Sequence, residues 1–169
     1  MVTEELLPYQ GQASAQQVHA YQRKVGSLLY AVIITRPDAA RAAAKLSEFL
    51  QNPSLEHLGA ADRAISYLFG TRYYAIEYSP STSQAFTCAS DAAFADDSTS
   101  RRSTEGFICH LYGGAIDWRS TKQKTVTTST TEAELLAVAH AGKELINWKR
   151  FFHAIQLSLG HHVAILYDN

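Results

Sequence analysis

The spacing of apolar residues changes just after Gly70, and this change limits the fold more than any other feature. Before it, apolar side chains recur at every third or fourth residue, which places them on one face of an α-helix. After it, short segments alternate apolar and polar residues, a pattern typical of half-buried β-strands. We therefore predict an α+β protein in which helices come first and a sheet follows.

Three helices are predicted before the change. The first begins near residue 16 and carries an apolar stripe at Val18, Tyr21, Val25, Leu28, Leu29 and Val32. Pro37 predicts a break and a restart, because proline is favoured at the first position of a helix. The second helix is expected to end before Pro53, and the third to end at Gly70. Their inward-facing residues are Ala40, Ala43, Leu46, Leu50, Leu55, Leu58, Ile65 and Leu68.

The part of the chain after Gly70 is predicted to form a three-stranded meander, a crossover helix and one more strand of the same sheet. A linking strand is expected at 74–78, and the three antiparallel strands of the meander at 84–90, 106–112 and 115–120. A long helix follows at about 130–157, with a buried stripe at Leu135, Val138, Leu145, Trp148, Phe152 and Ile155. Strand–helix–strand connections are almost always right-handed crossovers between parallel strands. The last strand, at 162–167, should therefore lie parallel to the first strand of the meander.

The composition narrows the classes of protein that fit this pattern. Of the 169 residues, 46% are hydrophobic and 18% are charged, which indicates a folded chain with a buried core. The net charge of −1 excludes a uniformly basic surface that coats nucleic acid. No apolar stretch approaches the roughly 20 residues that span a bilayer, and the acidic N-terminus lacks the apolar region of a secretory signal. We expect an intracellular protein, cytoplasmic or nuclear.

The two cysteines, Cys88 and Cys109, are too few for a four-thiolate zinc site. They fall on neighbouring strands of the predicted meander. Thiols persist in the reducing compartments inside cells. Two buried thiols are therefore expected rather than a disulfide.

Three acids occupy positions that suit metal chemistry. Asp91 ends the first strand of the meander, Glu134 lies in the first turns of the long helix, and Asp168 ends the last strand. If the first and last strands are parallel neighbours, Asp91 and Asp168 emerge side by side, within reach of Glu134. Carboxylates bind Mg²⁺, and two such ions about 4 Å apart can drive phosphodiester hydrolysis. On spacing alone, an Asp at a strand end is more often an ordinary turn residue, and a Glu in the first turn of a helix is more often a partner of the helix dipole.

Five motifs, in order along the chain, resemble the RNase H region of copia-type LTR retrotransposon Pol polyproteins. They are SDAAFA at 90–95, RRSTEGF at 101–107, STKQKTV at 120–126, STTEAE at 129–134 and YDN at 167–169. Earlier runs, at 26–30, 35–38 and 52–53, resemble the preceding thumb segment of the reverse transcriptase. The resemblance implies a helical thumb-like or connection-like subdomain at 16–80 and an RNase H-like domain at 81–169. Residues 1–15 are interpreted as a tail or a docked lead-in.

The resemblance implies that Asp91, Glu134 and Asp168 are catalytic residues that hold two Mg²⁺ or Mn²⁺ ions. The substrate it implies is the RNA strand of an RNA/DNA hybrid. Asp97 and Glu132 are read as supporting or surface acids. Ser129, Thr130 and Thr131 offer caps for the long helix and hydroxyls that could bond a phosphate.

Two departures from the family pattern bear on activity. Ala93 and Phe94 stand where family members commonly have an acid and a tryptophan. The sequence also stops at Asn169, whereas an RNase H domain normally continues through two further helices and a strand and supplies a fourth aspartate. The last strand would then be an open edge, and we expect a partner protein, a second copy or residues 1–15 folding back to cover it. The alternative is a catalytically impaired, co-opted remnant that acts as a protein-interaction or nucleic-acid-binding module.

A basic segment lies between residues 101 and 124. Its basic residues are Arg101, Arg102, Arg119, Lys122 and Lys124, and its only acids are Glu105 and Asp117. The local excess of three positive charges predicts phosphate contacts on one face of the meander. The plainer alternative is a solvated face of the sheet.

Overall fold

The computed structural model describes residues 6–79, 85–97, 99–159 and 163–167. The chain divides into two compact units, Met1–Ala75 and Ile76–Asn169, called here the N-terminal and C-terminal units. The first is helical, and the second combines a mixed four-stranded sheet with one helix. The predicted α+β class is confirmed. The predicted starts of two strands, at 84 and 162, and Asp168 lie outside the described residues.

The N-terminal unit contains three α-helices: α1 (Ala15–Ile34), α2 (Ala40–Ser47) and α3 (Leu55–Gly70). A short 3₁₀ turn at Pro37–Ala39 leads into α2. The predicted stripe of α1 is confirmed by its buried residues, which are Tyr21, Val25, Leu28 and Val32. Ser14 and Ser54 cap α1 and α3, and each side chain accepts a hydrogen bond from a backbone N–H of its helix's first turn.

Two details of this unit differ from the prediction. α2 ends at Ser47, so Leu50, which was predicted to lie on this helix, comes after it, and Phe49 is buried in the turn that follows. Leu55 is 75% exposed, and α3 instead buries His57, Ala60 and Ala61. Small alanine side chains let helix backbones approach closely, so the inward face of α3 is not its most hydrophobic one.

The lead-in to α1 is docked on the N-terminal unit. Leu6 is buried in the helical core. The Asn52 amide donates to the carbonyls of Tyr9 (3.1 Å) and Gly11 (2.9 Å) and accepts from the backbone of Ala13 (2.9 Å). Residues 6–13 thus contact the helical unit through Leu6 and through the hydrogen bonds of Asn52.

The sheet of the C-terminal unit contains β1 (Phe86–Ala93), β2 (Thr104–Leu111), β3 (Gly114–Lys122) and β4 (Ala164–Tyr167). The strand order is β3-β2-β1-β4. The first three strands form the predicted antiparallel meander, and β4 pairs with β1 in parallel. Both expectations for the sheet are confirmed.

The linking strand predicted at 74–78 is wrong, because residues 74–79 form no regular secondary structure. The Tyr78 hydroxyl donates to the carbonyl of Ala115 (3.1 Å), and its ring occupies the space beside Gly114. Ser79 donates its N–H to the carbonyl of Tyr112 (2.8 Å). Tyr78 therefore packs against the β2–β3 turn, whereas Tyr74 is 68% exposed and lies beside Arg36 of the N-terminal unit.

Helix α4 (Thr130–Ala154) packs over β1. The predicted stripe is correct for Phe152, which is buried, and for Leu145 and Trp148, which pack against the same cluster. It is wrong for Leu135 and Ile155, which are 67% and 53% exposed. The helix instead buries a row of alanines at Ala133, Ala137 and Ala141. These small side chains allow α4 to lie close to the sheet.

Cys88 and Cys109 are directly opposite each other on β1 and β2 and form a disulfide. The placement on neighbouring strands is confirmed, but the expectation of two free thiols is wrong. Both residues are fully buried in the core between the sheet and α4. Of the helices in the described part of the chain, none combines the length and the apolar character needed to cross a bilayer.

Candidate metal-binding edge of the sheet

Asp91 lies near the end of β1, directly opposite Gly106 on β2. The buried residues of β1 are Phe86, Cys88 and Ser90, which alternate along the strand. Asp91 is out of phase with them and is exposed. Since side chains alternate across a strand, its carboxylate lies on the face of the sheet away from α4.

Glu134 lies in the first turns of α4 and is half-buried. The helix runs antiparallel to β1, because Phe86 at the start of β1 contacts Phe152 in the last turn of α4, with ring centroids 5.2 Å apart. The first turns of α4 and the end of β1 therefore lie at the same end of the sheet. Asp91 and Glu134 approach this end from opposite faces.

Strand β4 also ends here, since Tyr167 pairs with Ser90, the residue before Asp91. Asp168, the third predicted ligand, lies outside the described residues. Within the described residues, no group of three or more His, Cys, Asp or Glu side chains could hold a metal ion. The structure thus brings two of the three predicted acids to one end of the C-terminal unit.

Asp91 and Glu134 differ from the other acids in this region by having no partner. Residues 85–159 contain eight acids, and the other six are Asp96, Asp97, Glu105, Asp117, Glu132 and Glu144. Each of these six forms at least one hydrogen bond or ion pair with a side chain or the backbone. Among the described residues, the carboxylates of Asp91 and Glu134 form none. Two carboxylates without competing donors suit a hard divalent cation.

The surface beside Asp91 is open because its neighbours across the sheet are small. Gly106 lies opposite Asp91 on β2, and Ser120 lies opposite Gly106 on β3. A Cβ atom added at Gly106 would come 3.3 Å from the carbonyl oxygen of Arg119, which is a tight contact. Glycine at this position therefore avoids a tight contact with β3 and places no side chain opposite Asp91.

The beginning of α4 is capped as the sequence predicts. The Ser129 hydroxyl accepts from the N–H of Glu132 at 3.1 Å. The Glu132 carboxylate accepts from the N–H and hydroxyl of Thr128, and these bonds lower the pKa of that carboxyl. Glu132 is thus committed to the helix terminus. Thr130, the first residue of the helix, is exposed.

Asp97 holds the loop between β1 and β2 against β3. It is 8% exposed, and its carboxylate lies 2.8 Å from the Lys122 ammonium. It also accepts from the N–H groups of Thr99 and Ser100 and from the Ser100 hydroxyl. Although burial alone would raise it, the pKa of this carboxyl lies well below its usual range because of the Lys122 ammonium and these donors.

The predicted basic face does not form. Arg119 and Lys122 are three residues apart on β3, so they lie on opposite faces of the sheet. Lys122 is also bound by Asp97. Arg101, Arg102 and Lys124 are exposed in the loops beside the strands. The expected placement on one face is therefore wrong, because it counted charges without the alternation of strand side chains, and phosphate contact by these residues stays a prediction.

Sequence reasoning missed a buried polar cluster beside the start of β2, the end of β3 and the first turn of α4. Gln123 and Ser103 are 1% and 0% exposed, and Thr127 is also buried. The Ser103 hydroxyl accepts from the N–H of Ala95 (3.1 Å) and lies 3.0 Å from the Thr127 hydroxyl. All three residues fall in or next to the motifs at 101–107 and 120–126. Their position in those motifs was the available signal, since polar residues do not show burial by hydrophobicity.

No family model and no solved structure matches the chain. The chain is 41% identical over 146 residues to the Retrovirus-related Pol polyprotein from transposon TNT 1-94 of Nicotiana tabacum, covering 85% of the chain and 11% of that protein. It is 40% identical over 125 residues to the corresponding polyprotein from transposon RE1 of Arabidopsis thaliana, covering 74% and 8%. The chain thus spans about a tenth of these relatives, and it is a region derived from a retrotransposon Pol polyprotein.

A third relative is matched over most of its own length. The chain is 40% identical over 126 residues to Secreted RxLR effector protein 161 of Plasmopara viticola, covering 75% of the chain and 89% of that protein. The chain belongs to the same family as this protein.

Proposed function

We propose that the C-terminal unit is the RNase H-type region of a copia-type Pol polyprotein, which hydrolyses the RNA strand of RNA/DNA hybrids with Mg²⁺ or Mn²⁺. One observation carries the proposal. Of the eight acids at 85–159, the two that form no hydrogen bond or ion pair within the described part of the chain, Asp91 and Glu134, lie at the end of the sheet where β1 and β4 end and α4 begins. The similarity to Pol polyproteins supports the same assignment.

In this proposal Asp91, Glu134 and Asp168 are the metal ligands. Two divalent cations bound there would supply an activated water and would stabilise the leaving oxygen of the phosphodiester. The chain's own groups position the substrate. The open row at Gly106 leaves room for the scissile phosphate beside Asp91. Exposed Arg101, Arg102 and Lys124 contact the hybrid's phosphates from the loops.

Two more predicted residues have narrower roles in the proposal. The Thr130 hydroxyl is exposed at the N-terminus of α4, where backbone N–H groups favour a phosphate. Arg119 is exposed on the α4 side of the sheet and would contact a different strand of the hybrid from the loop residues. Lys122 is bound to Asp97, so its contribution is to order the β1–β2 loop rather than to contact phosphate.

The test is cleavage of a labelled RNA/DNA hybrid in Mg²⁺ or Mn²⁺. We expect Asp91→Asn and Glu134→Gln each to reduce the rate by at least about 100-fold, because each removes a charged metal ligand. Glu144→Gln is the matched control, since Glu144 lies on the same helix and bonds Asn147. Cleavage that survives both ligand substitutions would contradict the proposal.

A second candidate function is favoured by the effector relative. The chain covers 89% of this relative, which is named as an effector protein and not as a Pol polyprotein. The second candidate is a co-opted remnant, impaired in catalysis, that binds a partner protein, a second copy or nucleic acid. Folded protein that binds the hybrid without cutting it, or that exceeds 18.6 kDa in solution without cleavage, would favour this function.

A further inference from the structure

The two carboxylates of the proposed site are carried by different elements. Asp91 is on β1 and Glu134 is on α4, and they approach the end of the sheet from opposite faces. Their separation therefore depends on how firmly the first turns of α4 are held to the sheet. A residue that fixes those turns would set the geometry of the site without touching a metal or substrate.

Gln123 makes the contacts that such a residue needs. It follows β3 directly and is 1% exposed. Its backbone N–H donates to the carbonyl of Ser103 at 2.8 Å, which anchors it beside the start of β2. Its side-chain Nε2 donates to the carbonyl of Ala133 at 2.8 Å. Ala133 is the residue immediately before Glu134.

The same amide group reaches the sheet through Glu105. Gln123 Nε2 lies 3.2 Å from Oε2 of Glu105 on β2. Both neighbours of Nε2 are acceptors, so the amide must present its NH₂ group to them. Glu105 Oε1 in turn lies 2.6 Å from Nδ1 of His140, about two turns further along α4. Glu105 is therefore joined to α4 directly through His140 and indirectly through Gln123.

These contacts connect the two metal-ligand candidates. Glu105 lies opposite Ala92 on β1, and the next residue, Gly106, lies opposite Asp91. The connection runs from Asp91 through the β1–β2 pairing to Glu105, then through Gln123 to the peptide that precedes Glu134. Among the described residues, Gln123 Oε1 is buried without a hydrogen-bond partner. All the hydrogen bonds of this side chain are thus made by the NH₂ group that holds α4.

We propose that Gln123 is a positioning residue that fixes the first turns of α4, and with them Glu134, against the end of β1. The inference rests on the proposed function, because it assigns Glu134 to the metal site. Gln123→Met keeps the length of the side chain and removes the amide donor. It is therefore the variant that separates positioning from filling space.

The experiment compares two readouts in the same variants. Amide hydrogen exchange reports how firmly the first turns of α4 are held, with or without metal. Mn²⁺ affinity, measured by calorimetry, reports the site itself. Phe152→Leu is the matched control, because Phe152 packs at the opposite end of α4 and its loss destabilises the same unit. Gln22→Met controls for the substitution, since Gln22 Nε2 donates to the carbonyl of Leu50 in the N-terminal unit.

In Gln123→Met we expect exchange at residues 133–138 to accelerate about tenfold while the last turns of α4 are unaffected. Mn²⁺ affinity should fall by at least about tenfold, as when a supporting contact of a metal ligand is removed. Phe152→Leu should accelerate exchange in the last turns of α4 and leave exchange at 133–138 and Mn²⁺ affinity unchanged, and Gln22→Met should change neither readout. Unchanged exchange at 133–138 would overturn the inference, and so would unchanged Mn²⁺ affinity. If wild-type protein binds no Mn²⁺, the proposed function fails, and hydrogen exchange alone then decides the positioning of α4.

Discussion

Asp97 shows at the scale of one residue how an acid can be buried in this fold. Its carboxylate receives the Lys122 ammonium, two backbone N–H groups and a hydroxyl. The same carboxylate would be solvated in the unfolded chain, where its pKa is about 3.9. Because its pKa is lowered in the folded state, ionised Asp97 stabilises the fold above that value.

We predict that this stabilisation begins to be lost as the pH falls below about 5 and continues to be lost below pH 3, since the unfolded state takes up a proton that the folded state resists. Asp97→Asn should lower the free energy of unfolding at pH 7 by about 2 kcal/mol. It should also flatten the decline in stability between pH 5 and 3. Urea denaturation of wild type and variant across this range measures both effects. Parallel pH profiles would show that Asp97 is not the titrating group.

His57 gives a second titration, in the N-terminal unit. It is fully buried, and its Nδ1 accepts from the N–H of Ser54 while Nε2 lies 3.0 Å from the carbonyl of Leu7. Burial lowers the pKa of this imidazole. The neutral ring therefore stabilises the unit above pH 6.5, and this contribution declines as the pH falls through the lowered pKa.

We predict that His57→Gln removes the pH dependence of the N-terminal unit between about pH 6.5 and 5, because glutamine does not titrate. The measurement is the fluorescence-detected stability of wild type and variant over this range. A variant that keeps the wild-type decline would assign the effect to another group. His57 and Asp97 thus predict that the N-terminal and C-terminal units lose stability over different pH ranges.

At the scale of elements, the disulfide joins the strand that carries Asp91 to its neighbour. Cys88 is three residues before Asp91, and Cys109 lies opposite Cys88 on β2. The bridge closes a loop with a sequence separation of 21 residues. Cross-links of this size limit the freedom of the unfolded chain.

We predict that the double substitution of Cys88 and Cys109 by alanine lowers the stability of the C-terminal unit by about 3 kcal/mol. Reductant should lower the melting temperature of wild type and leave that of the double variant unchanged. Thermal unfolding with and without dithiothreitol measures this. An equal response of the two proteins to dithiothreitol would contradict a stabilising bridge.

The elements also show what the sequence can predict. The apolar stripe of α1 and the parallel placement of β4 follow from periodicity and from the handedness of crossovers, and both were correct. The buried face of α4 was mispredicted because its contact residues are alanines, which a search for large apolar side chains passes over. The strand at 74–78 was mispredicted because an alternating pattern also arises when one aromatic residue, Tyr78, packs on a turn while another, Tyr74, is exposed.

The candidate site divides in the same way. The topology placed Asp91 at a strand end and Glu134 in the first turns of the helix, as the sequence predicted. Gln123 and Glu105 were missed, since a buried polar residue is recognised only by its partners. The Cys88–Cys109 bridge was missed because the prediction used the expected compartment instead of the strand register.

At the scale of the whole molecule, the protein combines a helical unit with a sheet unit that carries the candidate metal site. The chain is a retrotransposon Pol-derived region, and it belongs to a family in which one member is matched over 89% of its length. Our central claim is that the end of β1 and the first turns of α4 form one cation site in the C-terminal unit. That claim requires both elements to respond to the same bound ion.

The most direct measurement is paramagnetic broadening of backbone amide signals by substoichiometric Mn²⁺. We predict selective broadening at residues 90–92, at Gly106 and at 133–135, with the N-terminal unit unaffected. Asp91→Asn should remove the broadening at all of these positions together. Broadening confined to one of the two elements, or spread over unrelated acids such as Asp62, would contradict the account.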